Sequence, residues 1–229
     1  MIGSIRGDIQ FLKGEKPSFG KILQLLFCRA GVQALILYRF YHLLYKKRIP
    51  LLPDLLSRLN LFLNGADIDP AAEIGPGCRI YHTSGVVIGR GVKIGKDVWI
   101  SQGVTLGGSG KGVVMPGIPD GWPKIGGGVR LFSGAQILGP ITVGENSIIG
   151  ANSIVLESVP PNAVVVGIPG RIVRIGGERT AAEGKQGIEG ELKLLRKENE
   201  ELKRKLEELE KRLRSCERVK KQKRGKPWN

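Results

Sequence analysis

Residues 86–106 read VVIGRGVKIGKDVWISQGVTL, with an aliphatic side chain at every sixth position: Ile88, Ile94, Ile100 and Leu106. Residues 125–155, IGGGVRLFSGAQILGPITVGENSIIGANSIV, keep the same step through Ile125, Leu131, Ile137, Val143, Ile149 and Val155. Upstream, Ile68, Ile74 and Ile80 are also six apart. Two places before most of these rungs stands a small or β-branched residue: Ala72, Cys78, Val92, Val98, Val104, Val129, Ala135, Ile141, Ser147 or Ser153. A fixed six-residue period is the signature of a parallel β-helix built from hexapeptide repeats.

The period has a geometric reason. Six residues hold one short strand and a turn, so three units close a triangular coil of about eighteen residues. The rung residue points inward and stacks on the rungs above and below. Glycine suits the corners, because it adopts φ > 0 without steric cost. A coil buries its apolar face only against its neighbours, so several are needed. The thirteen rungs make about four coils.

Outside the ladder the pattern changes. Residues 1–65 read as a helical cap. Val32, Leu35, Ile36, Arg39, Phe40, Leu43 and Leu44 follow helical spacing, and Pro53-Asp54 opens a last helix through Leu63. This segment shields the first coil or packs between subunits. The sharper alternative is an interfacial membrane contact, since Lys46, Lys47 and Arg48 follow an apolar face. The β-helix domain spans 66–175, and Val159-Pro160-Pro161 with the apolar run after it closes its open end. Residues 176–187 form a linker. Residues 188–216 carry heptads: Ile188, Leu195, Leu202, Leu209 and Cys216 at d, and Leu192, Asn199, Leu206 and Leu213 at a. The pairs Glu198–Lys203 and Lys205–Glu210 are attractive in a parallel homomeric coil, and Asn199 favours two strands. Residues 217–229 are a basic disordered tail. The fold class expected is mainly β, a parallel β-helix with a helical cap and a C-terminal coiled-coil helix.

Net charge is +15 over 229 residues. It is concentrated at the ends: residues 1–65 carry +7 and residues 217–229 carry +5, against +1 over 66–183. Basic ends suit an anionic membrane surface as partner, or merely a solvated tail. Nucleic acid is the other anionic partner such ends suit, though no specific nucleic acid is expected. Cys28, Cys78 and Cys216 have neither metal-ligand nor disulfide-framework spacing, so no metal is expected. Arg29 and Arg39 interrupt the apolar stretch near the start, which argues against a secretory signal and a membrane-spanning helix. A reducing cytoplasm, with peripheral membrane contact as a variant, is the expected location.

The chemistry is sought where the ladder breaks. Tyr81-His82-Thr83-Ser84-Gly85 adds two residues between Ile80 and Ile88. The Gly-rich run Gly107–Lys124 leaves the coil as a loop. His82 is the only histidine in the ladder, and a bulge re-aims its side chain outward. A neutral-range imidazole suits a general base taking a proton from a hydroxyl. Such a base needs a carboxylate to hold its tautomer. Asp67, fifteen residues upstream and about one coil below, is one candidate, and Asp69 is the other.

Gly65–Gly75 (GADIDPAAEIG), Tyr81–Gly89 (YHTSGVVIG), Gln102–Lys111 (QGVTLGGSGK), Pro123-Lys124-Ile125, Val159-Pro160-Pro161 and Gly167–Arg171 together resemble the serine O-acetyltransferase family of hexapeptide-repeat acyltransferases. The resemblance covers about residues 20–175. It implies a left-handed parallel β-helix, trimers or pairs of trimers, acetyl-CoA as donor and an active site between subunits. By motif match, His82 falls on the family's general base and Asp67 on its carboxylate partner. Gly108, Ser109, Ser133 and Ala151 match positions lining the pantetheine groove, with Arg171 near the nucleotide end. Two departures stand at the acceptor side. Tyr81 replaces an aspartate before the base, and Gly121-Trp122 replaces an Arg-His pair. A zwitterionic serine needs both charges met in a desolvated site. Tyr81, Trp122 and Asp69 are therefore the acceptor-side candidates, with Arg79, Lys111 and Asp120 as further sources of charge.

The expected activity is an acetyl-CoA-dependent O-acetyltransferase acting on L-serine, as in cysteine biosynthesis, with no metal. The altered pocket keeps a sugar hydroxyl open as acceptor, because Trp122 could stack on a sugar ring. Zinc chemistry on this fold needs three histidines, which one ladder histidine cannot supply. A non-catalytic trimeric scaffold is the remaining reading, favoured by the basic tail and opposed by the His82 bulge.

Overall fold

The structure, a computed structural model, describes residues 29–108, 121–180, 195–209 and 211. The chain divides into two units, residues 1–180 and 181–229.

The first unit opens with two helices, α1 (Ala30–Lys46) and α2 (Leu52–Asn64). Sixteen short strands follow among the described residues, numbered here in chain order. They stack into three sheets, the faces of a triangular prism. Sheet A holds β1 (Ala66–Ile68), β4 (Val86–Ile88), β7 (Thr105–Gly107), β10 (Gln136–Leu138) and β13 (Ile154–Val155). Sheet B holds β2 (Glu73–Ile74), β5 (Lys93–Ile94), β8 (Lys124–Ile125) and β11 (Thr142–Val143). Sheet C holds β3 (Arg79–Ile80), β6 (Trp99–Ile100), β9 (Arg130–Leu131), β12 (Ile148–Ile149) and β14 (Ala163–Val166).

The rungs align as the period demands. Ile68, Ile88, Leu106, Ile137 and Val155 form one column, and Ile80, Ile100, Leu131, Ile149 and Val165 another. All are buried, as are the small residues two places before them. Burying a Val, Leu or Ile side chain contributes about 1.5–3 kcal/mol, so the columns are the main source of cohesion. Partner residues lie 18 apart where the repeat is regular (Leu131 to Ile149). They lie 20 apart across the Tyr81–Gly85 slip (Ile80 to Ile100) and 31 apart across the loop (Ile100 to Leu131). The breaks thus add residues at a corner without disturbing the columns.

The first coil has no coil beneath it, yet its downward carbonyls are met. In higher coils such carbonyls accept strand N–H groups, as Ile88 accepts from Asp69 at 2.9 Å. In the first coil the donors come from α1. The Tyr41 hydroxyl donates to the Ile68 carbonyl at 2.8 Å, and that of Tyr38 donates to Ala72 at 2.6 Å. The Arg39 guanidinium donates to the Ile74 and Gly75 carbonyls. Gly31 lies against the Ile80 carbonyl so closely that a Cβ there would overlap it. The helix therefore stands in for the missing coil and meets the buried backbone's requirement for partners. The expectation of a shielding cap holds. The side that meets the coil is Ala34, Leu35, Tyr38, Arg39 and Tyr41, whereas Phe40, from the expected apolar stripe, is exposed.

Helix α2 is oriented against the usual rule. Its buried residues are Pro53, Ser57, Asn60 and Asn64. Asn60 donates to the Ala34 carbonyl, and Asn64 to the Asn60 side chain. Leu55, Leu59, Phe62 and Leu63 face out, with Phe62 85% exposed.

At the far end β14 turns back into β15 (Arg171–Ile175), and β15 pairs antiparallel with β16 (Glu178–Arg179). This hairpin closes the last coil and runs to Thr180, so residues 176–180 belong to the domain rather than to the expected linker. In the second unit residues 195–209 are helical, and Leu195, Leu202, Leu206 and Leu209 are exposed along it. No helix of the described residues is long and apolar enough to cross a membrane.

Candidate active site

The corner from sheet C to sheet A carries the slip. Tyr81 still donates its backbone N–H to Ile100 at 2.9 Å, and the ladder resumes where Gly85 donates to Gly65 at 3.1 Å. Gly65, Gly85, Gly103 and Gly134 follow one another up this corner at φ +71, +73, +68 and +71. Each occupies the left-handed region, which only glycine enters freely. Between the two anchor points Thr83 turns inward, and Tyr81 and His82 face solvent. The two added residues leave His82 exposed at this corner.

Asp67 stands in the middle of β1, between inward Ala66 and Ile68, with its side chain outward on sheet A. Its neighbour one coil up is Val87. No hydrogen bond or ion pair links Asp67 to His82 among the described residues. Asp69 begins the next corner, where its Oδ1 accepts the Ala71 N–H at 2.8 Å. That bond commits part of its carboxylate to the turn.

The remaining candidates sort onto two edges of sheet A. Ser133 and Ala151 lie above His82 on the corner from C to A, and Asn152 donates to the Ser133 carbonyl at 2.9 Å. Arg171 opens β15 at the top, where the Gly170 N–H bonds Ile154 of β13. Asp69, Gly108 and Trp122 lie on the other corner, from A to B. The indole of Trp122 lies over the glycine corner of the coil below. A Cβ at Gly89 would come 2.2 Å from it, and one at Gly91 2.1 Å. Gly108 is also beside this ring. Loop packing thus takes one side of Trp122, and the residue remains 40% exposed. Ser109, Lys111 and Asp120 lie outside the described residues.

Sheet A is three residues wide at β1, which separates the two edges by about 10 Å. One chain alone puts His82 on one edge and Trp122, at the end of the loop, on the other. Cys78, 1% exposed, bonds the Gly95 carbonyl through its sulfur, so it offers no accessible nucleophile. No group of three or more His, Cys, Asp or Glu suited to a metal occurs among the described residues.

Sheet C supplies a group that spacing alone does not reveal. Trp99 is flanked by Arg79 from the coil below and Arg130 from the coil above, their guanidinium carbons 5.2 and 4.6 Å from its ring centroid. Tyr81 packs on the same indole at 5.6 Å. These residues are 20 and 31 positions apart, so only the coil register could have brought them together.

A family model described as bacterial transferase hexapeptide, with six repeats, matches residues 123–157. The chain is similar to a serine acetyltransferase of Mycobacterium tuberculosis, 42% identical over 76% of this chain and 73% of the relative. It is 40% identical to one from Bacillus subtilis, over 76% and 78%. Among solved structures it resembles a Brucella abortus serine acetyltransferase in complex with coenzyme A, at 36% identity and TM-score 0.67, covering 76% of this chain and 68% of that one. A serine acetyltransferase complex with cysteine aligns at 38% identity and TM-score 0.66, covering 76% and 70%.

Proposed function

The chain belongs to the serine acetyltransferase family, and we propose that it transfers the acetyl group of acetyl-CoA to the hydroxyl of L-serine. The single observation that carries the site assignment is the bulge that presents His82 on one edge of sheet A, with small-residue positions stacked above it. In this reading His82 takes the proton from the acceptor hydroxyl as its oxygen attacks the thioester carbonyl. The carbon–sulfur bond then breaks, and the proton passes to the departing thiolate. Asp67 orients the imidazole. Backbone N–H groups near Gly107 and Gly108 meet the charge that develops on the carbonyl oxygen. No cysteine intermediate is required.

The two-edge arrangement supports a homo-oligomer in which a site draws His82 from one chain and the Trp122 edge from its neighbour. A trimer or pair of trimers provides such junctions. The exposed leucines of the helix over 195–209 support a parallel coil joining the same chains. Gly108, Ser109, Ser133 and Ala151 line the pantetheine groove, and Arg171 lies toward the nucleotide. Tyr81, Trp122 and Asp69 border the acceptor.

A second reading rests on the departures at Tyr81 and Trp122. An exposed indole supports stacking on a sugar ring, so a sugar hydroxyl is the alternative acceptor. Release of free CoA, followed with L-serine and a panel of sugars, decides between them. Turnover with serine above a His82→Ala control is the expected result. Turnover confined to sugars selects the second reading, and none with any acceptor leaves a scaffold. The basic ends and the outward stripe of α2 support peripheral contact of a cytoplasmic enzyme with an anionic membrane. Deleting residues 217–229 is expected to weaken co-flotation with anionic vesicles at low salt while sparing turnover. Unchanged flotation removes that contact.

A further inference from the structure

The acceptor side lacks the charged pair that a zwitterion needs, yet sheet C holds two guanidinium groups on an indole that Tyr81, the residue before His82, also touches. Arg79 is three residues before His82 in the same coil, and its side chain points outward because Ile80 points in. It lies against Trp99, and Arg130 covers the same indole from above. Tyr81, the residue next to His82, closes the group from the corner side. The indole holds both cations over its π-system and limits their freedom. Arg130 forms no ion pair among the described residues. The result is a cationic shelf whose corner end is Tyr81, the residue before His82.

We infer that the Arg79–Trp99–Arg130 stack receives the carboxylate of the acceptor, so that the site takes a carboxylate-bearing hydroxy compound rather than a neutral one. The inference rests on His82 serving as the base. A guanidinium presents paired N–H donors that match a carboxylate, and an ordered guanidinium loses less freedom on binding. Tyr81, in place of a carboxylate, removes a negative charge that would compete for these cations. The shelf is formed by residues on β3, β6 and β9, which the coil register holds at adjacent heights. It meets a charge requirement that the Gly121-Trp122 segment cannot.

The test compares L-serine with L-serinamide, which keeps the hydroxyl and the amine but lacks the carboxylate. Free-CoA release gives kcat/KM for each with wild type, Arg79→Gln, Arg130→Gln and the double variant. The serine-to-serinamide ratio is expected to fall about tenfold or more in the double variant, the range of a charged hydrogen bond. Arg79→Gln should carry the larger part, because Arg79 shares its coil with His82. Arg79→Lys, which keeps the charge, should recover part of the ratio. An unchanged ratio in the double variant overturns the inference while leaving the acetyltransferase intact. An equal loss with both acceptors also overturns it, since that marks a structural role. A wild type that turns over neither acceptor sinks the function on which the inference stands.

Discussion

The indole of Trp122 lies over Gly91, so close that a single methyl group at that position would come within 2.1 Å of the ring. The atoms it would meet are at the root of the indole, which cannot swing away as a flexible chain end can. Gly91→Ala must therefore lift Trp122 from the corner and move the end of the 107–124 insertion with it. Overpacking of this kind costs about 1–3 kcal/mol. The variant is expected to unfold at lower denaturant, to red-shift the Trp122 emission and to raise KM for acetyl-CoA. A variant with wild-type emission would show that Trp122 is not seated there.

A different glycine tests the prism itself. Gly95 lies under the Gly126-Gly127 backbone, and a Cβ there would be 2.7 Å from the Gly127 nitrogen. Gly75, Gly126 and Gly144 repeat the relation at the same corner, with approaches of 2.6, 2.7 and 2.4 Å to backbone atoms. Backbone in a stacked coil cannot retreat. Gly95→Ala is expected to cost about 3 kcal/mol or more, at the upper end for overpacking. Chemical denaturation measures it, and a loss under about 1 kcal/mol would mean that the coils slide apart readily.

What the sequence disclosed and what it concealed follow from the same physics. The inward columns were legible because a coil must place one aliphatic residue at each turn, and that leaves a period. The His82 slip was legible as a fault in that period. The shielding role of α1 was expected, but the groups that perform it were not. Tyr38, Arg39 and Tyr41 act through hydroxyl and guanidinium groups that reach coil carbonyls, and apolar spacing carries no trace of where a polar tip ends. The seat of Trp122 was hidden because Gly89 and Gly91 look like any other corner glycines. The cations around Trp99 became neighbours only after two insertions had been counted into the register.

The substitute coil gives a third test. Arg39 is buried, and its guanidinium meets the carbonyls of Ile74 and Gly75. Arg39→Met keeps much of the volume and removes both donors. Each buried carbonyl left unmet costs about 1–3 kcal/mol, so a total of about 2–6 kcal/mol is expected for the two. Hydrogen exchange should also rise in β1 and β2 before the higher coils. Uniform exchange along the prism would argue that the helix does not protect the first coil.

Removal of the proposed base gives a fourth. His82 faces solvent on the bulge, so His82→Ala should leave the fold and CoA binding unchanged. General-base catalysis contributes about 10²–10⁴ in rate, and kcat is expected to fall by that range. Calorimetry with CoA separates the two effects. A variant that keeps kcat would move the base elsewhere, and one that loses CoA affinity would make His82 part of the donor groove.

The other histidine sets a pH dependence. His42 stacks on Tyr38 at 5.3 Å, and its Nδ1 bonds the Pro70 carbonyl at 2.8 Å. Burial lowers its pKa from the usual 6.5, the Pro70 bond opposes the shift, Lys46 and Arg39 add to it, and Glu73 opposes it weakly. The folded chain therefore holds its proton less tightly than the unfolded chain. Below about pH 6.5 the unfolded chain binds more protons, and folding stability falls as pH drops toward the lowered folded value. Above that pH both states are neutral at this ring and its contribution is complete. His42→Asn can still donate to Pro70 and does not titrate. Wild type is expected to lose more stability than His42→Asn between pH 7.5 and 5.5, read as the shift in denaturation midpoint. Equal losses in the two proteins would assign the acid sensitivity to other groups.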